Sequence, residues 1–166
     1  AILKPELVLF QQFSPEKNLY AQRNYQQRFG TISRLSLDLP FFGIWKVTQG
    51  HNGAYTHQTE WKHAWDFEVV NEYGHSYEGS GDRLEDYYSF NKPVLACGDG
   101  IVAEVVDHID DNQPGSVNLK ENWGNSVVIR HLDHLYSQVS HLKKGSVKIK
   151  PGAFIKKGEV IGSCGN

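Results

Sequence analysis

The segment Thr56–Phe67, THQTEWKHAWDF, combines two histidines, a glutamate and an aspartate. Imidazole and carboxylate groups are the ligands that catalytic zinc takes from proteins, in sites that keep one position open. Side chains alternate between the two faces of a strand, so His63 and Asp66 in HAWDF are expected to point to opposite faces. His57 lies beyond a segment that can turn, and it can approach Asp66 from outside the strand. The spacing therefore favours His57 over His63 as the partner of Asp66.

A third ligand has to come from elsewhere, and the chain contains eight histidines. Two histidines separated by one residue would share a strand face, but the chain contains no His-x-His pair. We expect His131 to be a structural neighbour of the site, and Trp61 and Trp65 to pack around it. Surface or structural roles are predicted for the remaining histidines, His51, His75, His108 and His134.

Short strands must position these residues. From residue 35 onward, runs of strand length such as HAWDFEVV, NSVVIRHL and HLYSQVSHL alternate with turn residues. PVLACGDGIVAEV predicts two strands around a Gly-Asp-Gly turn, and the glycine-broken C-terminal run predicts several short strands. The pattern indicates a mostly β fold, a domain of antiparallel sheets. Residues 71–92 predict a long loop, which either lines a substrate groove or forms a solvated lid.

The bulk properties set the domain plan and exclude several classes of protein. Residues 1–34 contain a polar, glutamine-rich stretch and differ from the alternating pattern that begins at residue 35. They are predicted to be an N-terminal extension of a main domain over 35–166. The net charge of −2 argues against nucleic-acid binding, and no apolar run has membrane-spanning length. Two buried thiols are favoured over one disulfide between Cys97 and Cys164. Because the chain begins at Ala1 and lacks methionine, we expect a processed product, which leaves room for a removed export signal or anchor.

Residues 124–166, from GNSVVIRH to KKGEVIGSCGN, closely resemble the C-terminal half of the lysostaphin/LytM-type zinc metallopeptidases. Upstream, LPFFGIWKVTQGHNGAYTHQTEWKHAWDF resembles one branch of that family, and PVLACGDGIVAEV resembles its next hairpin. The resemblance covers residues 35–166 in colinear order. It implies an antiparallel β-sandwich, the duplicated hybrid motif fold, with a groove that holds the metal site.

The resemblance also implies roles for particular residues. His57 and Asp66 match the first two zinc ligands, and His63 stands where the family often has an aromatic residue. His141 matches the first of two catalytic histidines, which stabilise charge that develops on the scissile carbonyl. The implied activity is zinc-dependent hydrolysis of peptide bonds in bacterial cell-wall peptidoglycan, and the implied location is extracytoplasmic.

The family pattern continues with a His-x-His strand that supplies the third zinc ligand and the second catalytic histidine, whereas this chain ends at Asn166. We therefore expect the 166 residues alone to be inactive and the activity to belong to a longer full-length protein. The alternative is a catalytically inactive module of the same fold that binds cell wall or regulates other wall hydrolases. A lipoyl- or biotinyl-type carrier hairpin in VKIKPGAFIKKGEVIG is disfavoured, because no lysine stands at a matching tight turn.

Overall fold

The computed structural model describes residues 35–132 and 135–166. The chain divides into two units after Leu39, and the described secondary structure lies in the unit Pro40–Asn166. The predicted extension over 1–34 and the histidine at position 134 lie outside the described residues, and the domain boundary stays a prediction. Within the described part of the chain, no helix has the length and apolar character needed to cross a bilayer.

Short antiparallel strands make up the described part of this unit. They are β1 Lys46–Gln49, β2 Asp66–Glu68, β3 Pro93–Leu95, β4 Gly100–Val106, β5 Asn125–Leu132, β6 Leu135–Leu142, β7 Phe154–Ile155 and β8 Val160–Ser163. They form a two-stranded sheet β1-β2, a two-stranded sheet β3-β8, and a four-stranded sheet in the order β6-β5-β4-β7. The described helical structure is two single 3-10 turns, Thr59–Trp61 and Leu84–Asp86. The predicted mostly β fold with antiparallel sheets is confirmed.

One apolar core joins the sheet β3-β8 to the four-stranded sheet. In β5, the alternating residues Val127 and Ile129 are fully buried, as the period of two along a strand requires. They share a single cluster with Val94 from β3 and Ile161 from β8. Burying a side chain of this size contributes about 1.5–3 kcal/mol. The two sheets therefore stabilise each other through their facing sides.

Strand β2 is shorter than the run HAWDFEVV predicts. Only Asp66–Glu68 is a strand, and His63 lies in the turn before it. A hydrogen bond of 3.0 Å from Ala64 N to the Trp61 carbonyl closes this turn. The alternation of strand faces therefore does not apply to His63. The prediction that His63 lies on the same strand as Asp66 was wrong.

The segment PVLACGDGIVAEV forms two strands around its turn, but it is not a hairpin. Strand β3 pairs with β8, whereas β4 pairs with β5 and β7, so the turn carries the chain from one sheet to the other. A Cβ on Gly100 would lie 2.5 Å from the Arg130 carbonyl oxygen, so β4 can begin this close to β5 only with glycine.

Residues 71–92 form a hydrogen-bonded arm rather than a structureless loop. Tyr77 forms an isolated antiparallel bridge with Tyr87, and their rings lie 5.2 Å apart. The neighbouring backbone adds a bond of 2.9 Å from Glu78 N to the Asp86 carbonyl. The arm thus resembles a short irregular hairpin closed by aromatic side chains.

Cys97 and Cys164 both remain thiols, in agreement with the buried-thiol interpretation. Burial raises the pKa of the Cys164 thiol to about 11. The backbone of Cys164 bonds to the end of the 71–92 arm, where its carbonyl accepts from Asn91 N at 2.7 Å and its N–H donates to the Lys92 carbonyl at 2.8 Å. Cys164 therefore serves packing and strand closure.

Candidate active site

Asp66, a predicted metal ligand, opens strand β2 opposite Gln49 at the end of β1. The register of this pair shifts between Val47 and Gln49, and such irregularities re-aim side chains. At the other end of the ribbon, Lys46 Nζ lies 3.0 Å from Glu68 Oε1. The two-stranded ribbon thereby sets the Gln49 amide beside the Asp66 carboxylate.

The Gln49 side chain uses both ends of its amide. Nε2 donates to Asp66 Oδ2 at 3.1 Å and to Thr56 Oγ1 at 2.8 Å. Oε1 accepts the backbone N–H groups of Tyr55 at 3.1 Å and Thr56 at 3.2 Å. Gly53 leaves room for this amide, because a Cβ there would lie 2.3 Å from Gln49 Cγ. The amide ties the carboxylate to the loop that carries the predicted ligand histidine.

His57 is 5% exposed, and both of its ring nitrogens have defined neighbours. Nδ1 lies 3.1 Å from the Gly50 carbonyl oxygen, and because a carbonyl only accepts, Nδ1 carries a proton and donates it. In the neutral ring Nε2 then presents a lone pair, which faces Asp66 Oδ1 at 3.2 Å. Two acceptors facing each other at this distance require a proton or a cation between them.

The separation of these two atoms fits neighbouring ligands of a tetrahedral metal ion. Typical zinc–nitrogen and zinc–oxygen bond lengths place adjacent ligand atoms about 3.4 Å apart. The Gly50 carbonyl on the imidazole and the Gln49 amide on the carboxylate are groups of the kind that orient metal ligands. Across residues 35–132 and 135–166 no cluster of three or more metal-ligating side chains occurs, so the pair is a partial site. The assignment of His57 and Asp66 to a metal stays a prediction.

His141 lies near the end of β6, where its pairing with β5 is irregular. The partners run from Val127–Val139 to Asn125–Leu142, so β6 carries one extra residue in this interval. The backbone φ of His141 is 59°, in the left-handed region that residues other than glycine seldom adopt. Such strain costs of order 1–3 kcal/mol and concentrates at functional sites. The bulge exposes His141 on the wall of a groove of about 210 Å³.

Hydrogen bonds hold His141 in this conformation. Its backbone N–H donates to the Trp123 carbonyl at 3.1 Å, and its carbonyl accepts from Gly165 N at 2.8 Å. Nδ1 donates to the Asn166 carbonyl at 3.3 Å, which leaves Nε2 as the acceptor of the neutral ring. An imidazole in this form is suited to accept a proton as a general base. The catalytic role of His141 stays a prediction.

Asn125 braces the bulge from inside the protein and is only 2% exposed. Its Oδ1 accepts from Ile109 N at 2.9 Å, while Nδ2 donates to the carbonyls of Ile109 at 2.8 Å and Leu142 at 3.1 Å. A buried amide is stable only when its hydrogen bonds are made. Asn125 therefore joins the exit from β4 to the residue that follows His141.

Two tryptophans connect the segment of the metal-ligand pair with the segment of His141. Trp61 ends the 3-10 turn after His57, and Trp123 supplies the carbonyl that holds His141. The two indole rings lie 4.8 Å apart at an interplanar angle of 59°. Their exposed fractions are 42% and 41%, so the aromatic pair remains open to solvent.

His51 and His63 form a separate cluster with Trp65. The Trp65 indole N–H donates to His51 Nε2, and the ring of His63 lies edge-on to that of His51 at 5.8 Å. Partial burial lowers the pKa of His63, with a smaller contribution from the charge of Lys62. The structure thus brings His57 to Asp66 and places His63 against another histidine.

His131 has a structural role in the fold. Its Nδ1 donates to the Asp99 carbonyl at 2.7 Å, and its Nε2 accepts from the Ser137 hydroxyl at 2.8 Å. Both ring nitrogens are therefore used to tie the turn before β4 to strand β6. His75 is exposed on the 71–92 arm, and His108 lines a groove of about 410 Å³.

Sequence reasoning missed the residues that position the candidate site, namely Gln49, Asn125 and Trp123. Each makes its contacts with segments distant in sequence or through its backbone, so no local pattern reports the role. The one available signal was a polar residue at the start of an apolar strand run, Asn125 in NSVVI.

Comparison with known protein families gives one match, in the C-terminal part of the chain. Residues 86–166 match the model of peptidase family M23. This match over the C-terminal part of the chain confirms the resemblance to the lysostaphin/LytM-type peptidases, and it supports a peptidase role in general.

The other comparisons add little. No curated protein matches the chain. A crystal structure of a protein from Pseudomonas aeruginosa, described as a peptidase M23, is 21% identical with a TM-score of 0.42, and the match covers 89% of this chain. The chain spans about half of that protein, 47% of its length. This similarity is too low to support an argument about fold or function.

Proposed function

We propose that the full-length protein that carries this chain is a zinc-dependent endopeptidase that hydrolyses peptide bonds in bacterial cell-wall peptidoglycan. The match of residues 86–166 to the model of peptidase family M23 supports the reaction class. The observation that carries the metal is the contact between His57 Nε2 and Asp66 Oδ1 at 3.2 Å, with the imidazole proton held on the opposite nitrogen by Gly50. A lone pair and a carboxylate oxygen aimed at the same point suit a divalent cation.

The residues of this chain take distinct roles in the proposal. His57 and Asp66 hold the ion together with a ligand outside the described residues, and Gln49 fixes which carboxylate oxygen faces His57. A zinc ion held there supplies the Lewis acidity that activates water and polarises a peptide carbonyl. His141 contributes an imidazole whose Nε2 accepts a proton, or, once protonated, donates to a developing oxyanion. Peptidoglycan peptides as substrate and an extracytoplasmic location rest on the family resemblance and belong to the proposal.

The test is zinc content and peptide release measured on the full-length protein and three variants. We expect one tightly bound zinc in the wild type, loss of zinc in H57A and D66A, and retention of zinc in H141A with release slowed by a factor of about 10²–10⁴. Circular dichroism on each variant controls for folding. A wild-type protein that binds zinc but releases no peptide from purified peptidoglycan would favour the inactive module. Unchanged zinc content in H57A would overturn the ligand assignment.

A further inference from the structure

The loop over residues 107–124 joins β4 to β5, and much of it lines the groove beside His141. The side chain of Asn166 is bound to the middle of this loop. Asn166 Oδ1 accepts from Asn112 N at 3.0 Å, and Asn166 Nδ2 donates to the Asn112 carbonyl at 2.6 Å. Because each end of the amide has its own backbone partner, the two bonds fix the plane of the Asn166 side chain.

The backbone of Asn166 contacts the imidazole of His141. The Asn166 carbonyl accepts from His141 Nδ1 at 3.3 Å, and the N–H of the preceding residue, Gly165, donates to the His141 carbonyl at 2.8 Å. Asn166 therefore touches the ring of His141 through its carbonyl and the 107–124 loop through its side chain.

Other bonds hold the same part of the loop to the chain that follows His141. Lys144 N donates to Asp111 Oδ1 at 3.0 Å, and Lys144 Nζ pairs with Asp110. An exposed ion pair stabilises little, so the directed bonds of Asp111 and Asn166 make most of this attachment. The loop thus gives the Asn166 amide a support that is itself tied to the end of β6.

The contact with the carbonyl decides which tautomer the ring of His141 adopts. A free neutral histidine carries its proton mainly on Nε2, whereas in a protein the hydrogen bond at one ring nitrogen sets where the proton lies. The Asn166 carbonyl can only accept, so it draws the proton to Nδ1 and leaves the lone pair on Nε2. Nε2 is the atom that accepts a proton in the proposed function.

We propose that Asn166 is a positioning residue for His141. Its carbonyl fixes the tautomer and the orientation of the imidazole, and its side chain, bound to the backbone of Asn112, fixes the carbonyl. The inference rests on the proposed function, in which His141 accepts a proton. In this role Asn166 acts through His141 and not on the substrate, so its loss slows the proton-transfer step and leaves substrate binding in place.

The test reads the tautomer of His141 directly in the full-length protein labelled with nitrogen-15 histidine. Long-range proton–nitrogen correlation spectra are recorded at pH 9, well above the ordinary pKa of histidine of about 6.5. The signals of His141 are those that H141Q lacks. We expect N166A to lower the ratio of the Nδ1–H form to the Nε2–H form about fivefold, the factor that one hydrogen bond of ordinary strength supports. N166D keeps the acceptor for Asn112 N, and a smaller change is expected.

The matched control is N112A. This change removes a side chain from the same loop but keeps both backbone groups that bind Asn166, so we expect the wild-type tautomer ratio. Kinetics of peptide release add a second readout for N166A. Because only a ring with its lone pair on Nε2 accepts the proton, kcat is expected to fall by up to the same factor of about five, while KM changes by less than about twofold.

Circular dichroism checks the folding of each variant, and N166D carries the test if N166A does not fold. An equal tautomer ratio in the wild type and the Asn166 variants, or the same change in N112A, would overturn the positioning role. So would a rise in KM at constant kcat, which would assign Asn166 to substrate binding. A shifted ratio in a protein that binds no zinc would sink the proposed function and leave the action of Asn166 on the ring standing. An unchanged ratio with zinc-dependent cleavage would do the reverse.

Discussion

The two halves of the candidate site are held in place in different ways. The pair His57–Asp66 lies on a two-stranded ribbon and a loop, where the positioning bonds come from the partly exposed amide of Gln49. His141 lies on the four-stranded sheet, where a fully buried amide, Asn125, and the apolar residue Leu142 anchor its backbone. The ligand half is thus a local polar arrangement, and the His141 half is an extension of the core.

Because of this difference, we expect changes in the ligand half to alter the affinity for zinc and changes in the His141 half to alter the stability of the fold. The Gln49 amide can be removed with little effect on the rest of the fold, because it bonds only Asp66, Tyr55 and Thr56, which lie outside the buried core. The buried amide of Asn125 cannot, because its loss leaves the carbonyls of Ile109 and Leu142 without this donor.

Asn125→Leu is expected to lower the free energy of unfolding by about 2–4 kcal/mol, because it removes three hydrogen bonds, one buried and two partly buried, and takes the amide donor from the Ile109 and Leu142 carbonyls. Urea denaturation measures the loss. Asn118→Ala is the matched control, since the Asn118 side chain bonds only nearby backbone N–H groups in an exposed loop, and less than about 1 kcal/mol is expected there. Equal losses in the two variants would show that the His141 half is not braced by Asn125.

Gln49→Ala is expected to weaken zinc binding of the full-length protein by about 10–100-fold, because the Asp66 carboxylate loses the group that orients it. Competition with a chromogenic chelator measures the dissociation constant. The control is Gln58→Ala, whose amide bonds the Ala54 carbonyl in the same loop, and we expect its zinc affinity to stay at the wild-type value. If Gln49→Ala lowers the free energy of unfolding as much as Asn125→Leu does, the two halves of the site are not held in different ways.

His141→Gly is expected to be more stable than His141→Ala by about 1 kcal/mol. Glycine adopts a φ of 59° without the steric cost that a Cβ carries. Thermal unfolding of the two variants measures the difference, and both lack the imidazole, so any difference reports the backbone. If the alanine variant is the more stable one, the left-handed conformation of His141 is not strained.

Cys164 is expected to react with iodoacetamide at pH 8 about a hundredfold more slowly in the folded protein than in denaturant, because its pKa rises from about 9 to about 11 and little thiolate forms. A Cys97→Ala background isolates the signal. The unfolded thiol ionises first as pH rises, so the unfolded state binds fewer protons between pH 9 and pH 11, and stability falls across that window. Fast labelling of Cys164 at pH 8 would show that its thiol is accessible and ionised in the folded protein.

The sequence alone determined the class of fold, because strand alternation and glycine turns are local properties. NSVVIRHL and HLYSQVSHL became β5 and β6 with nearly the predicted bounds. Local alternation gave a wrong prediction for His63. A turn closed by the hydrogen bond between Ala64 and Trp61 stands where the predicted strand begins. The local pattern also failed for the Gly-Asp-Gly turn, where pairing with distant strands outcompeted the local hairpin.

For the candidate site, the sequence determined which residue types are available, and only the tertiary structure decided which of them meet. His57 and Asp66 are chemically suited to a metal by type, but their approach to 3.2 Å depends on the β1-β2 register and the Gln49 amide. The exposure of His141 depends on a bulge that the buried Asn125 stabilises from another strand. Such contacts join residues far apart along the chain, so their energies are decided by packing, which no local pattern contains.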